Sequence, residues 1–157
     1  MPTLDPEVSL GWLVHDVARL LRKRFEQRAR AEALGVTRSQ AAVLSHLARN
    51  EGINQAALAQ LLEIEPITLV RLLDRLEGAG MVERRFDPRD RRAHTLHLRE
   101  PAWPMLARIR ALGSRVMDDA LAGVPAPQRA AFRHALAAMK GNLLELDDGE
   151  RPRAANA

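Results

Sequence analysis

The stretch PITLVRLLDRLEGAGMVERRFDPRDRRAHTLHL, residues 66–98, decides the fold. Leu69, Leu72, Leu73 and Leu76 recur 3 and 4 apart, which places them on the buried side of a helix from Pro66 to about Gly78. Pro66 suits the first helical position, where a backbone N–H has no partner to lose. Gly78 and Gly80 stop the helix. The period then changes. Met81 to Phe86 is short and extended, and Asp87-Pro88-Arg89-Asp90 is a turn signal. Thr95-Leu96-His97-Leu98 alternates polar with apolar, as a half-buried strand does. A helix is therefore followed by a β-hairpin with Arg91 and Arg92 near its tip.

Two more helices precede this unit. Thr37-Arg38-Ser39-Gln40 reads as a capping box. It opens a helix with Ala41, Leu44 and Leu47 inward that stops around Asn50-Glu51-Gly52. Asn54 caps a short helix from Gln55 to about Leu62, with Ala57, Leu58, Leu61 and Leu62 as its apolar residues. Three helices and a hairpin in this order predict a winged helix-turn-helix over residues 36–99. Further out lie three long helical patterns. Leu10, Leu13, Val14, Val17, Leu20 and Leu21 mark the first, with Ser9 as its N-cap and an end near residue 33, before Gly35. Its other side carries Arg22, Lys23, Arg24, Arg28 and Arg30. Pro101 opens the fifth helix, and Gly123-Val124-Pro125-Ala126-Pro127 separates it from the sixth. Phe132, Leu136, Met139, Leu143 and Leu146 then form a heptad-like seam. This apolar surface exceeds what one small lobe needs, so residues 9–33 and 101–146 read as dimerisation helices of an isologous pair. Residues 1–8 and 147–157 read as polar tails. The expectation is one mainly α domain over residues 1–157, a winged helix-turn-helix with N- and C-terminal dimerisation helices and a two-stranded β-wing.

Composition narrows the function. The 157 residues are 46% hydrophobic, 28% charged and only 3% aromatic, which suits a helical core and disfavours a barrel or sandwich. There is no Cys, which excludes thiol chemistry and disulfides. No run approaches the roughly 18 apolar residues of a membrane span, and the N-terminus lacks a signal peptide's basic and apolar regions. A cytoplasmic protein without membrane contact is expected. The 24 basic residues outnumber the 20 acidic ones, and all but two are Arg. A biased genome would enrich Arg, and so would contact with phosphate and guanine. A net charge of +4 does not decide between them.

The distribution of charge does. Thr68, Arg71 and Arg75 fall 3 and 4 apart on the polar face of the fourth helix, and Pro66 and Thr68 lie at its N-terminal end. Between Arg84 and Arg92 five arginines fill nine positions, against Asp87 and Asp90. A hairpin that only needs solubility would alternate its charges. Asp90 lies two residues before Arg92, close enough to hold its guanidinium in one pose for a narrow minor groove. The DNA-facing candidates are thus Pro66, Thr68, Arg71, Arg75, Arg89, Asp90, Arg91 and Arg92, with double-stranded DNA as partner. The competing reading is that Arg71 and Arg75 pair with Asp74 or Glu77 on a merely solvated face.

The segments Leu69–Glu77, Gly80–Arg85 and Asp87–Ala93 resemble the MarR family of bacterial transcription regulators, with its SlyA-like branch nearest. The resemblance runs over about residues 9–146 and is most specific in the fourth helix and the wing. It implies an obligate homodimer on pseudo-palindromic DNA, with the fourth helix in the major groove. The family's Asp-x-Arg wing signature falls on Asp90 and Arg92, with the Arg in the minor groove. It also implies a cleft for small anionic aromatic compounds between the dimerisation helices and the DNA-binding lobe. A peroxide-sensing branch relies on Cys, so that mechanism does not apply.

Trp12, His15 and Arg19 on the first helix, with His46 on the second, are the candidates for binding such an effector, a phenolic acid or its thioester. The plainer reading is that Trp12 packs in a dimer and Arg19 pairs with Asp16. The five histidines show no metal-ligand spacing, and no phosphate loop or nucleophile triad is present, so neither a metal, a cofactor nor an enzyme is expected. The reading is a ligand-responsive repressor. A protein-docking winged-helix dimer and an architectural DNA binder without effector are the alternatives.

Overall fold

The computed structural model describes residues 9–150, with side chains through residue 146. In chain order it contains α1 (Leu10–Ala31), α2 (Arg38–Leu47), α3 (Gln55–Leu61), α4 (Pro66–Gly78), β1 (Val82–Phe86), β2 (His94–Leu98), α5 (Ala102–Ala120) and α6 (Ala126–Glu150). The fold is mainly helical, with one two-stranded antiparallel sheet whose register pairs Val82 with Leu98 and Arg84 with Leu96. The chain divides after Met117 into two compact units.

The first unit is built on one core. Val43, Leu44 and Leu47 of α2, Leu58 of α3, and Leu69, Leu73 and Leu76 of α4 are buried with Val82 and Leu96 of the hairpin and Leu106 and Leu112 of α5. Each such side chain contributes about 1.5–3 kcal/mol relative to exposure. The capping box forms as the spacing predicts: the Gln40 N–H donates to Thr37 Oγ1 at 3.2 Å, and the Thr37 N–H donates to Gln40 Oε1 at 2.8 Å. Asn54 caps α3 through the Ala56 N–H, and Pro66 stands at the start of α4.

Local differences have local causes. Ser9 occupies the N-cap of α1, but its side chain makes no capping bond; only its carbonyl accepts, from the Leu13 N–H. α1 ends at Ala31 rather than near 33, because Ala33 (φ 47°) and Gly35 (φ 87°) turn the chain into the left-handed region. In α3 the inward residues are Leu58 and Ala59, while Ala57 and Leu61 are exposed. Pro101 lies in the turn before α5, and β2 begins one residue earlier than the alternation indicates, at His94. Residues 52–54 add a short third rung beside β2: the Gly52 N–H donates to the Leu96 carbonyl and the Leu96 N–H to the Ile53 carbonyl. Of the expected C-terminal tail, residues 147–150 continue α6; residues 1–8 and 151–157 lie outside the described residues.

In the first unit α1 exposes Leu10, Trp12, Leu13, Val17 and Leu20. In the second, no described residue of α6 is buried, and Phe132, Leu136, Met139, Leu143, Leu144 and Leu146 are all exposed. Among the described residues no helix is long and apolar enough to cross a membrane.

Candidate nucleic-acid interface

α4 has a strict division of faces. Leu69, Leu73 and Leu76 anchor it in the core, so Thr68, Arg71 and Arg75 are left exposed on the opposite side, and Pro66 is exposed at its N-terminal end. The acids that the sequence places near these arginines are engaged elsewhere. Arg84 of β1 reaches back over α4: its Nη2 donates to Asp74 Oδ1 at 2.6 Å and its Nη1 to Glu77 Oε2 at 2.5 Å. Nη2 also meets the Val70 carbonyl at 3.3 Å, and Nε meets Gln55 Oε1 at 3.3 Å. The Arg84 backbone N–H donates to Glu77 Oε1 at 3.1 Å, and the side chain is only 17% exposed. Among the described residues, no ion pair joins Asp74 or Glu77 to Arg71 or Arg75.

Arg84 is therefore the residue that counting charges misses. It belongs to the cation run by sequence but not by geometry. Two residues after buried Val82, the pleat turns it to the core side, opposite Leu96. A guanidinium there can fork across two carboxylates one helical turn apart, which an ammonium cannot match. Arg85 likewise pairs with Glu83. Among the described residues, the wing cations without an ion-pair partner are thus Arg89, Arg91 and Arg92, all exposed at the tip.

That tip is shaped by two consecutive side-chain turns. Asp87 Oδ1 accepts the Arg89 N–H at 2.9 Å, and Asp90 Oδ1 accepts the Arg92 N–H at 2.9 Å. Asp87 N–H to Ala93 carbonyl, 3.0 Å, closes the loop. Asp90 thus holds the main chain of Arg92, not its guanidinium as the spacing suggests. The carboxylate is held one methylene from its own backbone, so the nearby N–H is the better-placed donor. Amide chemistry can do the same: Asp90→Asn keeps an accepting oxygen and is expected to retain DNA affinity, whereas Asp90→Ala lowers it. Titration of both variants against one duplex checks this, and equal behaviour of the two contradicts it.

The four effector candidates are not drawn together. Trp12 and His15 make an edge-on ring contact with centroids 5.9 Å apart, and Trp12 is 67% exposed. Arg19 pairs with Asp16 at 3.3 Å on the surface, the plainer of the two readings. His46 is half-buried on α2, and its carbonyl accepts from Asn50 Nδ2. None of these residues lines the apolar cavity of about 300 Å³ between α1, α2 and α5, which Arg22, Phe25, Arg38, Ser45 and Ile109 help to form. Local spacing could not reveal it, because three separated helices supply its wall. His94 stacks at 5.0 Å on Phe86, and His97 lies between Thr95 (3.0 Å) and Glu51 (3.5 Å). Among the described residues no three potential metal ligands cluster.

Residues 34–93 match the sequence model of the MarR family. A protein of Thauera aromatica, assigned as the transcriptional regulatory protein for the hcr operon, is 36% identical over 75 residues, 48% of this chain. The chain spans only 45% of that relative's length. A crystal structure of MarR superposes with a TM-score of 0.84 at 24% identity, covering 94% of this chain and 99% of that one. A MarR regulator from Methanosarcina mazei Go1 gives 0.78 at 25% identity, covering 87% and 97%. MarR from E. coli, in a mutant solved with operator DNA, gives 0.70 at 24% identity, covering 86% and 98%. Over residues 34–93 this chain matches the MarR family, and its fold is that of the MarR winged-helix structures.

Proposed function

We propose that this chain is a homodimeric, DNA-binding transcriptional regulator acting as a ligand-responsive repressor on a pseudo-palindromic operator. One observation carries the DNA reading. Arg84 occupies Asp74 and Glu77, so α4 and the wing tip present Arg71, Arg75, Arg89, Arg91 and Arg92 without carboxylate partners among the described residues. Five unpaired guanidiniums on one helix face and one hairpin tip sum to a positive potential that attracts a polyanion, and each one that neutralises a phosphate adds to affinity. The match of residues 34–93 and the operator-bound relative of the same fold support the same reading. α4 then enters the major groove and Arg92 the minor groove. A single-domain architecture over residues 1–157, a SlyA-like branch and a cytoplasmic location belong to this proposal.

A protein-docking surface would present Tyr, Trp and Met at its centre rather than clustered Arg, which places the interaction-protein alternative second. Selection of duplexes from a randomised DNA library tests the proposal. The expected product is an inverted repeat with half-sites about one helical turn apart. Recovery of unrelated duplexes in the proportions of the input library contradicts it. On the selected duplex, Arg92→Ala is expected to lose about 1–3 kcal/mol of binding free energy per half-site.

The effector part of the proposal rests on the cavity beside α1, α2 and α5. Its apolar wall with Arg22 and Arg38 at its edge suits a ring bearing an anionic group. A thermal-shift panel of phenolic acids is expected to raise Tm in the wild type and not in Arg38→Ala. If Arg19→Ala loses the shift and Arg38→Ala keeps it, the α1 surface is the site instead. An architectural binder would show no shift with any acid.

A further inference from the structure

We propose that Ile67 reads thymine in the operator, seating its side chain against the C5 methyl group in the major groove; this rests on the DNA-binding reading above. Ile67 is 61% exposed although it is the second residue of a helix whose leucines 69, 73 and 76 are buried. The helix does not lack a core to pack on, because Leu69, Leu73 and Leu76 of the same helix are fully buried in it. Ile67 instead lies on the row that leads to Arg71 and Arg75, at i, i+4 and i+8. One branched apolar side chain thus stands in line with two unpaired guanidiniums, beside exposed Thr68. Water is a poor solvent for it. Among the groups on base-pair edges in the major groove, the thymine methyl is the apolar one, while guanine and adenine present polar atoms that guanidinium or amide groups read. The row therefore divides its work: Arg71 and Arg75 take guanine edges or phosphate oxygens, and Ile67 takes the methyl. A β-branched side chain on a helix has one strongly preferred χ1 rotamer, so little side-chain freedom is lost when the contact forms.

The test uses the full-length protein and the duplex it selects. Each thymine is replaced in turn by deoxyuridine, which removes only the methyl and keeps base pairing and the polar edge. Wild type is expected to lose about fourfold in affinity at one position per half-site, the worth of one buried methylene-sized group. Ile67→Ala is expected to bind the unmodified duplex several-fold more weakly and to be indifferent to deoxyuridine at that same position. Ile67→Val, which keeps a branched contact, is expected to retain most of the discrimination. Circular dichroism of both variants confirms that the exposed substitution leaves the helices intact. Operator binding that is unaffected by every deoxyuridine overturns the proposal and leaves the DNA-binding reading standing. So does a methyl-sensitive position that stays equally sensitive in Ile67→Ala. Failure to select any duplex overturns both.

Discussion

Leu143→Asp is expected to convert the protein to a monomer and to lower operator affinity by about 10²–10⁴-fold, the avidity lost when two half-sites are no longer bound by one linked particle. Leu143 is 62% exposed, in a run of α6 whose apolar residues Phe132, Leu136, Met139 and Leu146 share its spacing and its exposure. A continuous apolar stripe of this length is an interface in waiting, since monomers rarely leave one open to water. In the proposed dimer the stripe is covered by a second copy, and an Asp there would bury an unpaired charge. Leu143 is not among the buried core residues, so the helix content of the lobe should persist. Light scattering and a duplex titration check the two halves of the expectation. A stable dimer with wild-type affinity would show that the α6 stripe is not the seam.

Arg84→Ala is expected to reduce operator affinity by tenfold or more while lowering stability by only about 1–2 kcal/mol. The stability figure is modest because Asp74 and Glu77 remain partly open to water, which discounts the cost of leaving them unpaired. The affinity effect is larger because Asp74 and Glu77 are left uncompensated on α4, and their charge weakens the positive potential around Arg71 and Arg75. The wing also loses its side-chain tie to α4. Arg84 touches no base or phosphate in this account; it is a positioning residue. The distinction is measurable. Asp74→Asn with Glu77→Gln in the Arg84→Ala background should recover part of the affinity, because the repulsion is gone even though the tie is not. Arg84→Lys should recover less than the charge count suggests, since an ammonium cannot span both acids and the Val70 carbonyl. Full rescue by Lys would mean that charge alone matters and that the fork does not.

The elements that sequence reading places well are those whose signals are local. Thr37 and Gln40 close a capping box within four residues, and Pro66 starts α4. The Leu69–Leu76 spacing shows which face of α4 is buried. The change of period after Gly80 marks the hairpin, and its register follows from alternation about Leu96. What escapes is either too short or too distributed. The rung at residues 52–54 is three residues long, too short for an alternation to show, and depends on partners more than 40 positions away. Arg84 looks like one more wing cation until its facing is counted from Val82 in steps of two, and its acids are found one turn apart on α4. Asp90 and Arg92 are close in sequence, but spacing alone cannot say whether a carboxylate meets a guanidinium or a backbone N–H. The cavity with Arg22 and Arg38 draws on α1, α2 and α5, whereas spacing along α1 alone points to Trp12, His15 and Arg19 and cannot show which residues of three helices share a wall.

If the arginines of α4 and the wing serve a nucleic-acid partner, binding must weaken steeply as salt is added. Affinity for the selected duplex and for a scrambled one is measured across a range of salt concentrations. If Arg75, Arg89 and Arg91 of each subunit neutralise phosphates, about six phosphates are neutralised per dimer, and log K falls with log salt at a slope of about −5. That slope is expected, with the selected duplex bound well above the scrambled one at near-physiological salt. A slope near zero, or equal affinity for both duplexes, would contradict it.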